Sequence, residues 1–558
     1  MSMRRKFVVY LSLLPILWVL VGFILYPTLS TIKTSLIVEN GFDLGNYFQF
    51  FTYTKNMEAF VNTIVLGLAT VIVCGLIGTA LAFFVHGFQF PGKKILDIFL
   101  LTPIMLPGVV ATLVFMQLYG ESGLVTKSIQ FLFHLQEPPF ILRGFWGILF
   151  IHAYTQYIFF YVNVSAALKR IDLSLIEAAK NMGAGNLKVF LNVVLPLLTP
   201  AIVASSILTF MTAVGSFAAP ALLGDSYRVM SVQILMSKVN NYFGLAAVQG
   251  IMLSLISVLF LMVLRWYETK KDYSLSPKGF VIGTLPIRKP WLKGLFIGIS
   301  ILLIATIALP IFTLVLLSFV KRGTWIADIF PKHFNLNNYI LFFSEPGVAQ
   351  PFINSINMSV IATSLAVLVG SISSYVIVKT KLKIRWLIEL LVMLPWALPA
   401  STVAINMING FNVPNPFSLN MVLVGTYWIL PLTYFVGMLP LIVRSTNASL
   451  LQLHPSLEEA SRSLGASWVE TFIRVVVPII LPGILAGALL GFVGAFGDYT
   501  SSALMYTVHN VPISVEMINT MYDFDIGLSM TYGVIQVVIT MVIIMLFQNI
   551  GRFGEFKF

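Results

Sequence analysis

Apolar and polar residues alternate along this chain in long blocks rather than at a helical or strand period. Twelve blocks are apolar for about 20 residues or more, the length that crosses a bilayer as a helix. They fall at roughly 7–29, 58–86, 96–119, 144–167, 196–217, 243–264, 294–320, 353–378, 386–409, 421–443, 476–497 and 527–549. The first block follows Arg4, Arg5 and Lys6 but is longer than a signal-peptide core and lacks a small-residue cleavage site, so an uncleaved spanning helix is expected. Prolines recur inside the blocks, and the pairs Pro103/Pro107 and Pro395/Pro399 are expected to kink their helices rather than break them.

The polar blocks fix an orientation. With the N-terminus inside, most of the 34 Lys and Arg residues fall in cytoplasmic segments, including Lys169, Arg170, Lys379, Lys381, Lys383, Arg385 and Arg444. The net charge of +12 therefore reflects topology and attraction to anionic membrane lipid, not a nucleic-acid partner. Composition agrees: 58% hydrophobic and 10% charged residues, with a mean hydropathy of +0.92, exclude a soluble globule. The single cysteine, Cys74, lies inside the second block and reads as a buried, inert thiol.

The two halves repeat. Phe-Val-Asn-Thr at 60–63 answers Phe-Ile-Asn-Ser at 352–355, Gly78 answers Gly370, Asp97 answers Glu389, and the two proline pairs answer each other, all 292 positions apart. Beyond them the offset falls to 282, matching Pro196 and Pro200 with Pro478 and Pro482, and Gly215 with Gly497. The second half is thus shorter in an outer loop, between its proline pair and its cytoplasmic signature. Six spans per repeat is an even number, so both halves point the same way across the membrane. The expected fold is an all-α polytopic membrane protein of about 12 transmembrane helices in two parallel six-helix repeats, residues 1–267 and 294–558, joined by a cytoplasmic linker at 268–293. Asp97 and Glu389 are expected at cytoplasmic helix starts, where a carboxylate complements the helix dipole.

Each repeat also carries one charged cytoplasmic segment, at about 169–195 and 451–477. The first contains EAAKNMGA, Glu177 to Ala184, and the second EASRSLGA, Glu459 to Ala466. Ser174 and Ser456 are expected to cap a short helix, with Glu177 and Glu459 completing capping boxes. Small residues (Ala178 and Ala179; Ala460 and Ser461) leave room for close packing. Gly183 and Gly465 end the helix in a left-handed turn. A second amphipathic stretch then leads to Pro196 or Pro478, which makes each segment a helix-turn-helix knob facing the cytosol.

This duplicated pattern resembles the EAA loop of ABC-importer permeases, two of them fused, and the stretches GSFAAPALLG, Gly215 to Gly224, and GDYTSSALMY, Gly497 to Tyr506, resemble the corresponding regions of fused permeases in the ferric-iron and aminoethylphosphonate groups. The resemblance implies that the knobs couple the chain to an ATPase. It also implies two copies of that ATPase at the cytoplasmic face, a solute-binding protein outside, and location in a bacterial inner membrane with both termini cytoplasmic. The chain contains no Gly-x-x-x-x-Gly-Lys-[Ser/Thr], so ATP and Mg²⁺ are expected on the separate ATPase and no cofactor here. No nucleophile elbow, His-Glu-x-x-His or metal-ligand spacing occurs, and catalysis in this chain is not expected.

For the solute path, Asp498 is the leading candidate, followed by Tyr499, by Ser216 at the position equivalent to Asp498, and by Gln156, Tyr157 and Asn406; Tyr161 and Asn409 are further polar residues of the same helices. The favoured substrate is ferric iron, with Asp498, Glu516, Asp523 and Asp525 as outer oxygen donors. Phosphonate, polyamine, thiamine and sugar-phosphate are alternatives, and Arg228, Lys321 and Arg322 would suit an anion. The competing class is an ion-coupled secondary transporter with two parallel repeats.

Overall fold

The computed structural model describes residues 13–38, 41–269, 285–287, 289–325 and 329–551. The basic N-terminal residues and most of the expected linker lie outside them. Among the described residues eleven helices are long and apolar enough to span a membrane, and twelve if the bent pair Arg385–Ala397 and Ala400–Phe411 is one span. The burial pattern is that of a protein solvated by lipid. In Thr54–Gly87 the buried positions include Ala59, Thr63, Gly67, Thr70, Cys74, Gly78 and Ala82, while Val65, Leu68, Ile72 and Leu76 are exposed. Small residues pack against neighbouring helices because lipid offers no hydrophobic reason to bury large ones.

The proline pairs break their helices, contrary to the expected kink. Lys93–Leu101 runs into a 3-10 turn, Thr102–Met105, before Gly108–Tyr119 begins. Arg385–Met393 and Ala400–Phe411 are separated in the same way, and there the chain bends by 116°. The cause is local. Leu106 and Leu398, forced out of the helical region by the following proline, have ψ 112° and 125°, and Pro107 and Pro399 have ψ 146° and 149°. Asp97 and Glu389 then sit in the middle of short helices rather than at their starts, and Asp97 accepts a hydrogen bond from the Tyr161 hydroxyl.

Packing divides the chain into two compact units, and each draws on both sequence repeats. One comprises Thr54–Gln233 and Met252–Asn335. In it Thr54–Gly87, Gly144–Leu168 and Leu195–Val214 pack together, and a Cβ on Gly78 would strike the Tyr157 carbonyl and Phe160. The first helix of the second repeat, Pro290–Ser318, joins this unit: Phe296 stacks on Phe84 at 4.6 Å, and Tyr154 donates to the Ile307 carbonyl at 2.9 Å. The other unit comprises Met1–Tyr53, Ile234–Ile251 and Leu336–Phe558. Here the first helix of the chain lies against Ala400–Phe411, with Pro27 at the bare face of Gly410 and Phe23 stacked on Phe411 at 5.3 Å.

The repeated tetrapeptide has a structural use in each unit. Asn62 donates to the Arg228 carbonyl at 3.0 Å and Thr63 Oγ1 accepts from Met230 N–H at 2.8 Å. Asn354 and Ser355 do the same for Val511 and Ile513, at 3.1 and 2.8 Å. Each pair pins the start of the short helix that follows, Met230–Val239 or Ile513–Tyr522.

Candidate functional site: two helix-turn-helix knobs and a cavity

The first knob begins with Leu173–Asn181. Its N-cap is Asp172, whose carboxylate accepts from Ser174 N–H at 2.9 Å. The second begins with Pro455–Ser463, capped by His454, whose Nδ1 accepts from Ser456 N–H at 3.3 Å. Ser174 and Ser456 are therefore inside the first turn rather than capping it, because a better acceptor lies two residues earlier in each case. A capping box does occur, one helix later: Ser467 N–H donates to Glu470 Oε2 at 2.8 Å and Glu470 N–H to Ser467 Oγ at 3.3 Å. Hydrogen bonds to the carboxyl from the Ser467 backbone and then its side chain hold Glu470 below the usual carboxylate range.

Both turns close identically. Gly183 and Gly465 have φ of 85° and 90°, open to glycine and costly for other residues. Gly183 N–H bonds Lys180 O at 2.9 Å and Ala184 N–H bonds Ala179 O at 3.1 Å; Gly465 to Arg462 and Ala466 to Ser461 repeat this at 3.0 and 3.2 Å. This pair of bonds is the Schellman closure of a helix end. The second helices, from Asn186 and Trp468, pass through a widened turn, Phe190–Val194 and Phe472–Val476, and continue into Leu195–Val214 and Val477–Phe496. Pro196 and Pro478 donate no hydrogen bond, and the wider turn accommodates that loss. Each knob is thus continuous with a membrane helix.

Of the signature residues, Glu177, Ala178, Glu459 and Ala460 are exposed, Ala179 is buried, and Ala184, Ser461 and Ala466 are intermediate. Ser461 replaces alanine with a purpose: its hydroxyl hydrogen-bonds Thr471 Oγ1 at 3.0 Å, joining the two helices of the knob, where the first repeat has the buried apolar residues Ala179 and Val189. Sequence reasoning missed the most conspicuous residues of the knobs. Met182 and Leu464 precede the two glycines and are 82% and 90% exposed. Their signal was present, an apolar residue at the tip of a charged loop in both copies.

Among the described residues, only the second knob is clamped by an ion pair. Lys379 Nζ lies 3.0 Å from Glu458 Oε1, with the two side chains 13% and 14% exposed, and donates to the Leu453 carbonyl at 3.1 Å. The equivalent positions in the first repeat are Gly87 and Ile176, and Ile176 packs against an apolar cluster instead.

Of the residues expected along the path, Asp498 lines a cavity of about 300 Å³ with Trp396, Thr433, Tyr434, Met438, Leu441, Gly491 and Ser501. Its carboxylate is occupied. Oδ1 accepts from Ser501 and Ser502 N–H at 2.9 and 3.0 Å and from the Ser502 hydroxyl at 3.3 Å, and Oδ2 accepts from the Ser501 hydroxyl at 3.3 Å, so the carboxylate caps Thr500–Met505. Tyr499 is half-buried at the N-cap position of that helix. Ser216, the counterpart of Asp498, hydrogen-bonds His152 Nε2 at 2.9 Å, and His152 Nδ1 meets Thr70 Oγ1 at 3.1 Å. Gln156 and Tyr157 are buried, and Tyr157 donates to the Leu100 carbonyl at 2.8 Å. Asn406 is buried against the first helix, 3.4 Å from Thr28 Oγ1. None of these five, Tyr499, Ser216, Gln156, Tyr157 and Asn406, lines the cavity. Asp498→Ala should lower the stability of the purified protein by about 1 kcal/mol, a typical cap loss, and Asp498→Asn by less, since the amide oxygen still accepts from two N–H groups. Thermal unfolding of the two variants separates cap from charge.

The described residues thus form two repeats of spanning helices, each carrying one helix-turn-helix knob, the architecture expected of a fused permease. The chain belongs to the family of binding-protein-dependent transport system inner membrane components, which matches residues 74–273 and again 366–553. It is 30% identical over 558 residues to the "Probable ABC transporter permease protein y4fN" of Sinorhizobium fredii, covering 98% of this chain and 97% of that one. It is 26% identical to the ferric transport system permease protein FbpB of Actinobacillus pleuropneumoniae, covering 98% of this chain and 79% of that one. A Salmonella typhimurium protein named for 2-aminoethylphosphonate transport, PhnU, is 30% identical over 38% of this chain and 78% of its own. The chain is therefore a multi-pass inner-membrane permease subunit of a binding-protein-dependent ABC importer, a transport component rather than an enzyme. The family works with an ATPase and a binding protein, which sets aside the ion-coupled secondary transporter.

Proposed function

We propose that the two knobs are the coupling elements of this importer. Each seats on one of two ATPase copies, which hold ATP and Mg²⁺, and passes the closure of that pair into the helices Leu195–Val214 and Val477–Phe496. The observation that carries this reading is the duplication itself: two knobs with the same left-handed glycine turn, the same closing bonds and an exposed apolar residue at the tip. Glu177, Ala178, Ala179, Gly183 and Ala184, with Glu459, Ala460, Ser461, Gly465 and Ala466, form the docking surfaces. Met182 and Leu464 fill the partner's grooves. Both termini and both knobs are then cytoplasmic, in keeping with the basic residues around them.

The cargo is ferric iron, delivered by an outside binding protein. Support comes from FbpB, a relative matched along 98% of the chain and named for ferric transport, whereas the phosphonate relative matches a little over a third of it. Full burial of a methionine or leucine side chain contributes about 1.5–3 kcal/mol. Met182→Asp or Leu464→Asp should therefore weaken association with the ATPase at least tenfold per knob, read by co-purification, and lower uptake of radioactive iron in parallel. Undiminished co-purification of the double variant would remove the knobs from the interface. Uptake of 2-aminoethylphosphonate, but not iron, would reassign the cargo.

A further inference from the structure

The sequence pattern puts Arg444 among the cytoplasmic cations, but it lies inside Ile429–Gln452, eight residues before the end of that helix. At 1.5 Å per residue that is about 12 Å. A cation at a helix centre costs about 2.5–3.5 kcal/mol on insertion scales, so an exposed arginine within a spanning helix calls for a partner. Among the described residues Arg444 has no carboxylate within ion-pair distance and no hydrogen bond; its guanidinium carbon lies 4.6 Å from the centre of the Trp396 ring.

Trp396 also lines the cavity beside Asp498, as do Pro440 and Leu441. Those two precede Arg444 by four and three residues and so share its helix face. Arg444 does not itself line the cavity but stands one helical turn beyond its lining, toward the second knob. A guanidinium resting on an indole keeps its in-plane N–H fork free, the geometry that grips two oxygens of a carboxylate or phosphate. At the other end, the Asp498 carboxylate is engaged by Ser501 and Ser502 and offers little to a bare cation. In the first repeat the equivalent residues are Val162 and Ile104, 45% and 56% exposed and uncharged, so orientation in the membrane does not require this pair.

We propose that Arg444, steadied by Trp396, is a specificity-determining residue that recognises an oxyanion at the inner end of this cavity. The inference rests on the reading of the chain as an importer of ferric iron, and implies that the cargo passes with an oxygen-rich anionic ligand rather than as the naked ion. A phospholipid headgroup offers the same oxyanion chemistry, and the test separates the two sources.

The permease–ATPase complex in discs of zwitterionic lipid is titrated with ferric citrate and, separately, with sodium phosphate, followed by tryptophan fluorescence. Saturable binding is expected, at least tenfold weaker in Arg444→Gln and Trp396→Leu, with Arg444→Lys intermediate because it keeps the charge and loses the fork. Co-purification with the ATPase checks that each variant is folded, and Trp396→Phe keeps a ring should the leucine variant fail. Equal affinity in wild type and Arg444→Gln, or no saturable binding by the wild type, would overturn the proposal. So would a signal that answers only to added phosphatidylglycerol and disappears in Arg444→Gln, which would give the residue to lipid. The readout is binding, so a failure here leaves iron uptake by the wild type, the test of the cargo, standing on its own.

Discussion

Replacing Gly487 with leucine is expected to leave almost no folded protein in the membrane. Gly483, Gly487 and Gly491 form one bare stripe on Val477–Phe496, each four residues from the next, against Ile429–Gln452. A Cβ at 487 would meet the Ser445 hydroxyl and come within 2.8 Å of Ile442 Cα; one at 483 would meet Ser449 Oγ and lie 2.9 Å from the Ser445 carbonyl. These obstacles include main-chain atoms, which no rotamer change can move aside. Overpacking of a tight core costs about 1–3 kcal/mol and more where backbone must shift. The helices that must separate are those carrying the second knob and the cavity. Gly487→Ala should be measurably less stable than wild type and Gly487→Leu should aggregate on extraction, as seen by size exclusion of detergent-solubilised protein. Gly298→Ala, with nothing within 4 Å of the added atom, is the control and should behave as wild type.

Lys379→Ala should uncouple the second knob while leaving the first intact. Removing the amine strands Glu458 in a largely buried position and takes a donor from the Leu453 carbonyl. Breaking one partner of a buried pair costs about 3–5 kcal/mol, and the slight exposure of this pair places the expected loss near the lower figure. That energy is concentrated where the helix ending at Gln452 meets the knob, so local opening should precede global unfolding. The measurements are limited proteolysis across residues 453–467 and iron-dependent ATP hydrolysis by the assembled complex, with sharp losses in protection and coupling. Exchanging the charges, with Lys379→Glu and Glu458→Lys together, should recover part of both. An unaltered cleavage pattern in the single variant would show that the pair does not hold the knob.

What the sequence made legible was whatever a single residue type enforces on its own neighbourhood. Glycine at 183 and 465 announces a left-handed turn, and proline at 196 and 478 announces a disturbed helix, because each acts through its own backbone. The long apolar blocks announce spans for the same reason. The caps were misplaced because Asp172 and His454 compete with Ser174 and Ser456 over a distance of two residues, and propensity does not rank such neighbours. The breaks at the proline pairs were read as kinks because the two conformations share their prolines, and neighbouring helices decide between them. The cavity, the stacking of Arg444 on Trp396 and the Lys379–Glu458 clamp join residues tens of positions apart. Such contacts leave no period in the sequence.

The exchange of first helices between the packing units also sets a timetable for synthesis. Thr28 and Asn406, which meet in the finished protein, are 378 residues apart. At about 5–20 residues per second, roughly 20–75 seconds separate their emergence from the ribosome. Throughout that interval the helix of Tyr26–Leu36 waits in the bilayer without its partner, and even in the finished protein its Thr28 hydroxyl donates to the Ile24 carbonyl at 2.7 Å. Pro290–Ser318 faces no such delay, since Phe84 and Tyr154 are already inserted when it arrives. One unit therefore has all its segments once residue 335 has been made, whereas the other begins with the first residues and is complete only with the last. A nascent chain arrested shortly after residue 335 should hold a closed unit together with an orphaned helix, the natural client of whatever guards unpaired segments in the membrane.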